Sequence, residues 1–241
     1  MYSVEIQNLK LAFNTQVLFE QFNFTLPQGK WTSLLGASGI GKSTLLRVIA
    51  GLEKESILQG KINFAPNTKL AWLAQHESLY PWLSIIDNVR LHAHLTGQKN
   101  AENLDKALHL LELVKMTPHL NKPCYQLSGG QKQRVALART LMQDANLILM
   151  DEPFSALDAV TRYQLQDLAY QLLVNKTVLL ITHDPQEAIR LSHHIAILAK
   201  QPACLTEITQ IQGVPPRALT ETEFSQLQQQ LIEVLSEGGL R

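Results

Sequence analysis

A chain of 241 residues is long enough for one sizeable globular domain or two small lobes, with room for a large buried core. Apolar residues make up 45% and charged residues only 17%, with 21 basic side chains balancing 21 acidic ones, which excludes intrinsic disorder and argues against a general nucleic-acid-binding surface. No apolar run approaches the ~18 residues that cross a bilayer, no signal-peptide layout opens the chain, and Cys124 and Cys204 form no disulfide framework, so a soluble cytosolic protein is expected.

The first third alternates short apolar stretches with turn residues. Val4-Glu5-Ile6, Phe22 to Leu26 and Lys30 to Leu35 read as strands, with Pro27-Gln28-Gly29 as a turn. After Gly41 the pattern from Ser43 to Ala50 reads as a helix stopped by Gly51, and further strand follows around Lys61 to Phe64 and Lys69 to Leu73. From about Gln75 to Met142 the chain reads as helical, with Leu104, Leu108, Leu111 and Val114 at helix spacing. Three uninterrupted apolar runs, Leu147 to Met150, Thr177 to Thr182 and Ile195 to Leu198, then read as parallel strands buried on both faces. Residues 206–241 are rich in Gln and Glu, and Phe224, Leu227, Leu231 and Val234 share one face of a predicted helix, which reads as a small structural appendage.

Gly36-Ala37-Ser38-Gly39-Ile40-Gly41-Lys42-Ser43 fits G-x-x-x-x-G-K-[ST] between a predicted strand and a predicted helix. Small residues let successive backbone N–H groups turn inward around phosphates, and the helix N-terminus adds partial positive charge. Lys42 can reach the β- and γ-phosphates of a nucleotide, and the Ser43 hydroxyl can bind Mg²⁺. The strand Leu147 to Met150 ends in two carboxylates, Asp151 and Glu152, followed by Pro153. Neighbouring strand side chains point to opposite sides, so one carboxylate is expected to hold the Mg²⁺ shell and the other to face an attacking water. Leu127-Ser128-Gly129-Gly130-Gln131 is a second glycine-containing turn entering a helix, with Ser128 as its expected N-cap, and forms a second potential anion site. A soluble ATPase with one phosphate cradle has no evident use for two.

Taken in this order, these motifs resemble the nucleotide-binding subunit of an ABC transporter over roughly residues 2–205, with Walker A at 36–44 (ending in Thr44), the signature from Leu127 to Gln131, and Walker B from Leu147 to Asp151. The family's D-loop matches Ser155 to Asp158, its switch histidine matches His183, and its Q-loop glutamine matches Gln75. The resemblance implies a P-loop NTPase core, α/β with a parallel sheet, an N-terminal antiparallel β region and an inserted helical lobe at about 76–143, the whole occupying residues 1–205. It implies ATP as substrate and Mg²⁺ as cofactor, with Glu152 as general base or water-positioning group, His183 as a γ-phosphate contact, and Gln75 as a Mg²⁺ ligand that senses the transporter. Phe13 matches the aromatic that stacks on adenine and Val17 packs beside it; Asn14 stands where the family often has Gly, and Asn tolerates the positive φ of such a turn.

The resemblance also explains the second anion site, because two copies pair head to tail and each ATP is closed between one copy's Walker A and the other's Ser128, Gly129, Gly130, Gln131 and Asp158. Tyr80-Pro81-Trp82, large groups in a polar loop, form a natural socket for a permease helix. Pro81-Trp82-Leu83 followed by Asp87-Asn88-Val89 resembles the nitrate, sulfonate and taurine importers, a group that includes carriers of the hydroxymethylpyrimidine precursors of thiamine. Such a subunit works on the cytoplasmic face of the inner membrane, held there by its permease, and is served indirectly by an external solute-binding protein. His92 and His94 face different ways on a helix and form no zinc site. A soluble ABC ATPase acting on nucleic acid or the ribosome is the main alternative, and a P-loop small-molecule kinase the next. The first lacks its long coiled coil or second cassette here, and the second gives no reason for Leu127 to Gln131.

Overall fold

The computed structural model describes residues 1–120, 122–218 and 222–238. The chain opens with two long strands, β1 (Tyr2–Phe13) and β2 (Gln16–Pro27), then β3 (Trp31–Gly36), helix α1 (Lys42–Ile49) and strand β4 (Ile57–Phe64). Next come β5 (Leu70–Leu73), α2 (Ile85–Val89), α3 (Leu91–Leu95), α4 (Ala101–Leu113) and α5 (Gly129–Leu141). The remainder is β6 (Leu147–Asp151), α6 (Ala159–Leu172), β7 (Thr177–Ile181), α7 (Pro185–Leu191), β8 (His194–Ala199), β9 (Cys204–Gln210) and α8 (Thr222–Gly238). These elements fall into two compact units, one made of Met1–Leu70, Asn146–Glu152 and Leu173–Arg241, the other of Ala71–Ala145 and Pro153–Leu172. The expected α/β class, with a parallel sheet and an antiparallel β region, is the one the chain adopts.

In the first unit β6, β7, β3 and β8 lie side by side as parallel strands, and β9 closes the edge antiparallel to β8. All six residues of β3 and all five of β7 are buried. Those strands can therefore be uninterrupted apolar runs, since neither face meets water. The antiparallel sheet orders its strands β2-β1-β4. There Val4, Ile6, Leu9 and Leu11 of β1 point inward, the alternation slipping at register shifts between Ile6 and Leu9 and between Leu9 and Leu11. Phe19, Phe22 and Phe24 of β2 form a ring cluster with centroids 4.7 and 6.3 Å apart.

The tail helix α8 joins this core. Leu231 is buried against Leu35, Ala188, Ile189, Ile195, Ile197 and Ile211, and Phe224, Leu227 and Val234 pack around it. Beside it the buried guanidinium of Arg217 donates to the carbonyls of Ile189, Ser192, Ile211, Gln212 and Gly213 at 2.6 to 3.2 Å. Five charge-assisted bonds satisfy a cation that would otherwise be costly to bury.

The second unit is helical. The buried face of α4 centres on Ala107, Leu110 and Leu111 and continues into Val114, while Leu104 and Leu108 are only half-buried at its margin. Asn100 caps that helix, its Oδ1 accepting from Asn103 N at 2.8 Å. Helices α5 and α6 approach closely at Gly130, where an added Cβ would meet Thr161 Cγ2 at 2.4 Å.

Candidate functional site

Strand register in the first unit lines up the loops that carry the predicted residues. Leu34 of β3 and Asp151 of β6 both pair with Ile181 of β7, so the segments after all three strands leave the same edge of the sheet. Carboxyl ends of parallel strands are where open α/β sheets bind ligands. The cradle Gly36 to Ser43 rises from β3, with Ala37, Ser38 and Gly39 exposed at its crest and Ile40 buried beneath. Gly36 has no space for a side chain, because a Cβ there would stand 2.5 Å from the Leu198 carbonyl oxygen of β8. Gly41, the residue before α1, has φ 109°, a conformation that strains any L side chain.

Lys42 begins α1 and is 6% exposed. Its Nζ donates to the carbonyls of Gly36 at 2.8 Å and Ala37 at 3.0 Å, so the ammonium spans the mouth of the loop. Burial pushes its pKa down, and the nearby carboxylates of Glu152 and Asp151 oppose that effect. Ser43 Oγ donates to Asp151 Oδ1 at 3.2 Å. Burial is also the largest influence on Asp151 and raises its pKa; Ser43 and Lys42 pull it down and Glu152 adds to the rise. Thr44 is half-buried on the same helix.

Glu152 parts from Asp151 for a reason that strand alternation does not contain. It has φ 46°, a left-handed backbone uncommon for a residue with a side chain, and its N–H bonds the Ile181 carbonyl at 3.0 Å. The turn sends its Oε2 to His183 Nδ1 at 3.0 Å, while Asp151 stays with Ser43. His183 follows β7 and is well exposed, with 60% of its side chain open. Phe13 and Gln16 pair at the tip of the β1–β2 hairpin and Ala12 faces Val17, with Asn14 at φ 51° making the turn. Phe13 is 42% exposed and belongs to no core, and Val17 is half-buried. Leu18, next along β2, stands where a Cβ on Gly41 would fall, which places the hairpin beside the cradle.

The second unit holds the other predicted residues. Ser128 is the N-cap of α5 within a full capping box: its Oγ accepts from Gln131 N at 3.3 Å, and Gln131 Oε1 accepts from Ser128 N at 3.0 Å. Ser128 and Gly129 are exposed, so this helix N-terminus opens outward. Asp158 accepts from Thr161 N at 3.0 Å, and bonds from that backbone hold its carboxyl below the usual carboxylate range. Gln75 is exposed, and its carbonyl accepts from Gln133 Nε2 at 3.5 Å. Tyr80 and Trp82 stand with ring centroids 5.2 Å apart, Trp82 75% exposed.

Three residues that shape this unit escaped sequence reasoning as functional groups. Asn88 has no exposed surface; its Oδ1 accepts from Tyr80 N at 2.8 Å, and its Nδ2 lies 3.0 to 3.3 Å from the carbonyls of Tyr80, Leu83 and Ser84 and from Cys124 Sγ. Gln133, also buried, donates from Nε2 to the Pro153 carbonyl at 2.6 Å. Arg139 donates to the carbonyls of Glu77 and Ser78. The available signal was polar side chains set among the buried residues of helices, as Gln133 is among Ala136, Leu137 and Thr140.

The family model for ABC transporters matches residues 19–155, and an uncharacterized ABC transporter ATP-binding protein of Haemophilus influenzae is 57% identical over 96% of this chain and 98% of its own length. The chain belongs to the ABC transporter family. As an ABC cassette it is an ATP-binding, ATP-hydrolysing protein. The aliphatic sulfonates import ATP-binding protein SsuB of Bacillus cereus is 34% identical over 99% of this chain and 98% of that one. Among solved structures, the dimer of a bacterial ABC transporter cassette superposes with TM-score 0.73 at 27% identity, over 88% of this chain and all of that one. A dimeric post-hydrolysis state of that cassette, bound to ADP and Pi, matches equally well. Among the described residues of this ABC protein no helix is long and apolar enough to cross a membrane.

Proposed function

We propose that the chain energises a membrane importer for a small solute of the nitrate, sulfonate, taurine or hydroxymethylpyrimidine type. End-to-end likeness to the sulfonates import proteins supports the importer class. The observation that carries the partner is Trp82, a large apolar ring 75% exposed on a loop whose backbone is braced by a fully buried amide. A fixed, exposed aromatic has the makings of an anchor for another chain. In this reading Tyr80, Pro81 and Trp82 receive a permease segment and hold the subunit at the cytoplasmic face of the membrane. The external solute-binding protein acts only through that permease.

At the nucleotide, Phe13 stacks on adenine with Val17 beside it. The N–H groups from Gly36 through Thr44 take the phosphates, and Lys42 moves from the Gly36 and Ala37 carbonyls to the β- and γ-oxygens. The donor set suits Mg²⁺, since a hydroxyl and a carboxylate, Ser43 Oγ and Asp151 Oδ1, already lie side by side. Gln75 is assigned as a further oxygen ligand from its place in the motif order. When bound, the metal neutralises charge on the transferred phosphoryl group. Glu152 orients the attacking water and accepts its proton, and His183, tied to Glu152, contacts the γ-phosphate. Ser128, Gly129, Gly130, Gln131 and Asp158 serve the ATP of a second copy paired head to tail. A dimeric relative supports that pairing, and so does the outward-facing N-terminus of α5, whose N–H groups suit the phosphates of a neighbour's ATP.

Trp82→Ala tests the docking reading. Losing an aromatic anchor of about 2–4 kcal/mol weakens permease association roughly 30- to 1,000-fold. Solute uptake should therefore fall while ATP turnover by the isolated subunit is unchanged. Equal loss of both would show that Trp82 serves packing instead.

A further inference from the structure

The segment from Gln75 to Trp82 connects a residue assigned to nucleotide with the pair assigned to the permease. Inside the second unit its backbone is gripped by α5, the helix that starts at the signature motif. Arg139, in the last turn of α5, donates from Nη1 to the Ser78 carbonyl at 2.9 Å and from Nη2 to the Glu77 carbonyl at 2.5 Å. A planar guanidinium can hold two successive carbonyls at once, and a single ammonium or amide cannot match that fork. Ser78 itself has φ 46°, so the fork fixes the chain where it is bent into a left-handed conformation. Burial lowers the Arg139 pKa, and the Tyr80 side chain opposes that effect. At the far end of the same loop, Asn88 ties Leu83 and Ser84 to Cys124, in the short turn Cys124–Gln126 that leads into Leu127 and Ser128. The loop is thus fastened on both sides of the signature motif, by Asn88 to the turn before it and by Arg139 to the far end of α5, a helix of 13 residues that spans about 20 Å as a stiff rod.

We propose that Arg139 is a positioning residue that couples the Tyr80–Trp82 loop to the signature helix, so that a displacement at the permease contact and closure of the signature on ATP occur together. The proposal rests on the docking reading of that loop. Arg139 is not among the residues assigned to ATP or Mg²⁺, and its two guanidinium bonds go to the Glu77 and Ser78 carbonyls.

The test is fluorine NMR of full-length protein labelled with 5-fluorotryptophan, which reports on Trp31, Trp72 and Trp82. The Trp82 resonance is assigned with Trp82→Phe. In a Glu152→Gln background that retains ATP, MgATP shifts the Trp82 resonance. Adding Arg139→Ala removes that shift, although ATP affinity and, with Glu152 restored, basal turnover stay within about two-fold of the parent. Arg139→Lys, which keeps one donor arm, recovers part of the shift, an outcome that lost stability alone would not give. Should the alanine variant fail to fold, Arg139→Gln replaces it with the same expectation. A Trp82 shift as large in the alanine or glutamine variant as in the parent, or no shift in the parent, overturns the proposal. Failure of the docking reading appears separately, as full solute uptake by Trp82→Ala.

Discussion

Lys42→Ala is expected to abolish measurable ATP turnover. The ammonium is almost fully buried and its burial is disfavoured, so it is held by two loop carbonyls and by the field of Asp151 and Glu152. Phosphate oxygens offer it stronger partners than carbonyls do, at the place where charge builds up during transfer. Two charge-assisted contacts of about 1.5–3 kcal/mol each amount to roughly 10²- to 10⁴-fold in kcat/KM. Alanine also leaves the Gly36 and Ala37 carbonyls without their donor and loosens the cradle. Phosphate release and equilibrium titration with nucleotide measure both consequences. Turnover at the parent rate would remove Lys42 from the site.

Glu152→Gln separates binding from chemistry. The amide keeps the size of the carboxylate and a hydrogen-bonding oxygen for His183, so the Glu152 turn and the neighbouring Asp151–Ser43 pair are preserved. It cannot accept a proton from water. General-base contributions of roughly 10²- to 10⁴-fold in rate are lost, while ATP still binds. With hydrolysis stopped, two copies are expected to stay closed around MgATP, and size-exclusion chromatography should show a dimer. A variant that stayed monomeric with MgATP and hydrolysed it at the parent rate would show that another group is the base.

The parts legible in the sequence are those where chemistry or burial restricts the residue type. A cradle needs glycines and a lysine at fixed spacing, so Gly36, Gly41 and Lys42 are readable before any fold is known. Strands β3, β6 and β7 are readable because burial on both faces leaves only apolar side chains. Strand β9 does not stand out in the sequence, since it pairs with β8 at the sheet edge and its run, Cys204-Leu205-Thr206-Glu207, mixes polar with apolar residues. Loop geometry in the second unit was hidden for a different cause. Asn88 and Arg139 act on backbone carbonyls, which every residue possesses, so nothing in the partner's identity marks the contact. The strand pleat predicts that Asp151 and Glu152 separate, but not how. The separation comes from a left-handed turn at Glu152, which periodicity cannot register.

That turn has a bearing on how such a sequence endures. A left-handed residue with a side chain costs on the order of 1 kcal/mol, and Glu152 adds to it by setting a second negative charge against Asp151. For backbone strain alone a glycine would suit this position better. With Glu152 as the proposed base, the strained position is also the one proposed to activate water, so stability and turnover are set against each other at a single residue.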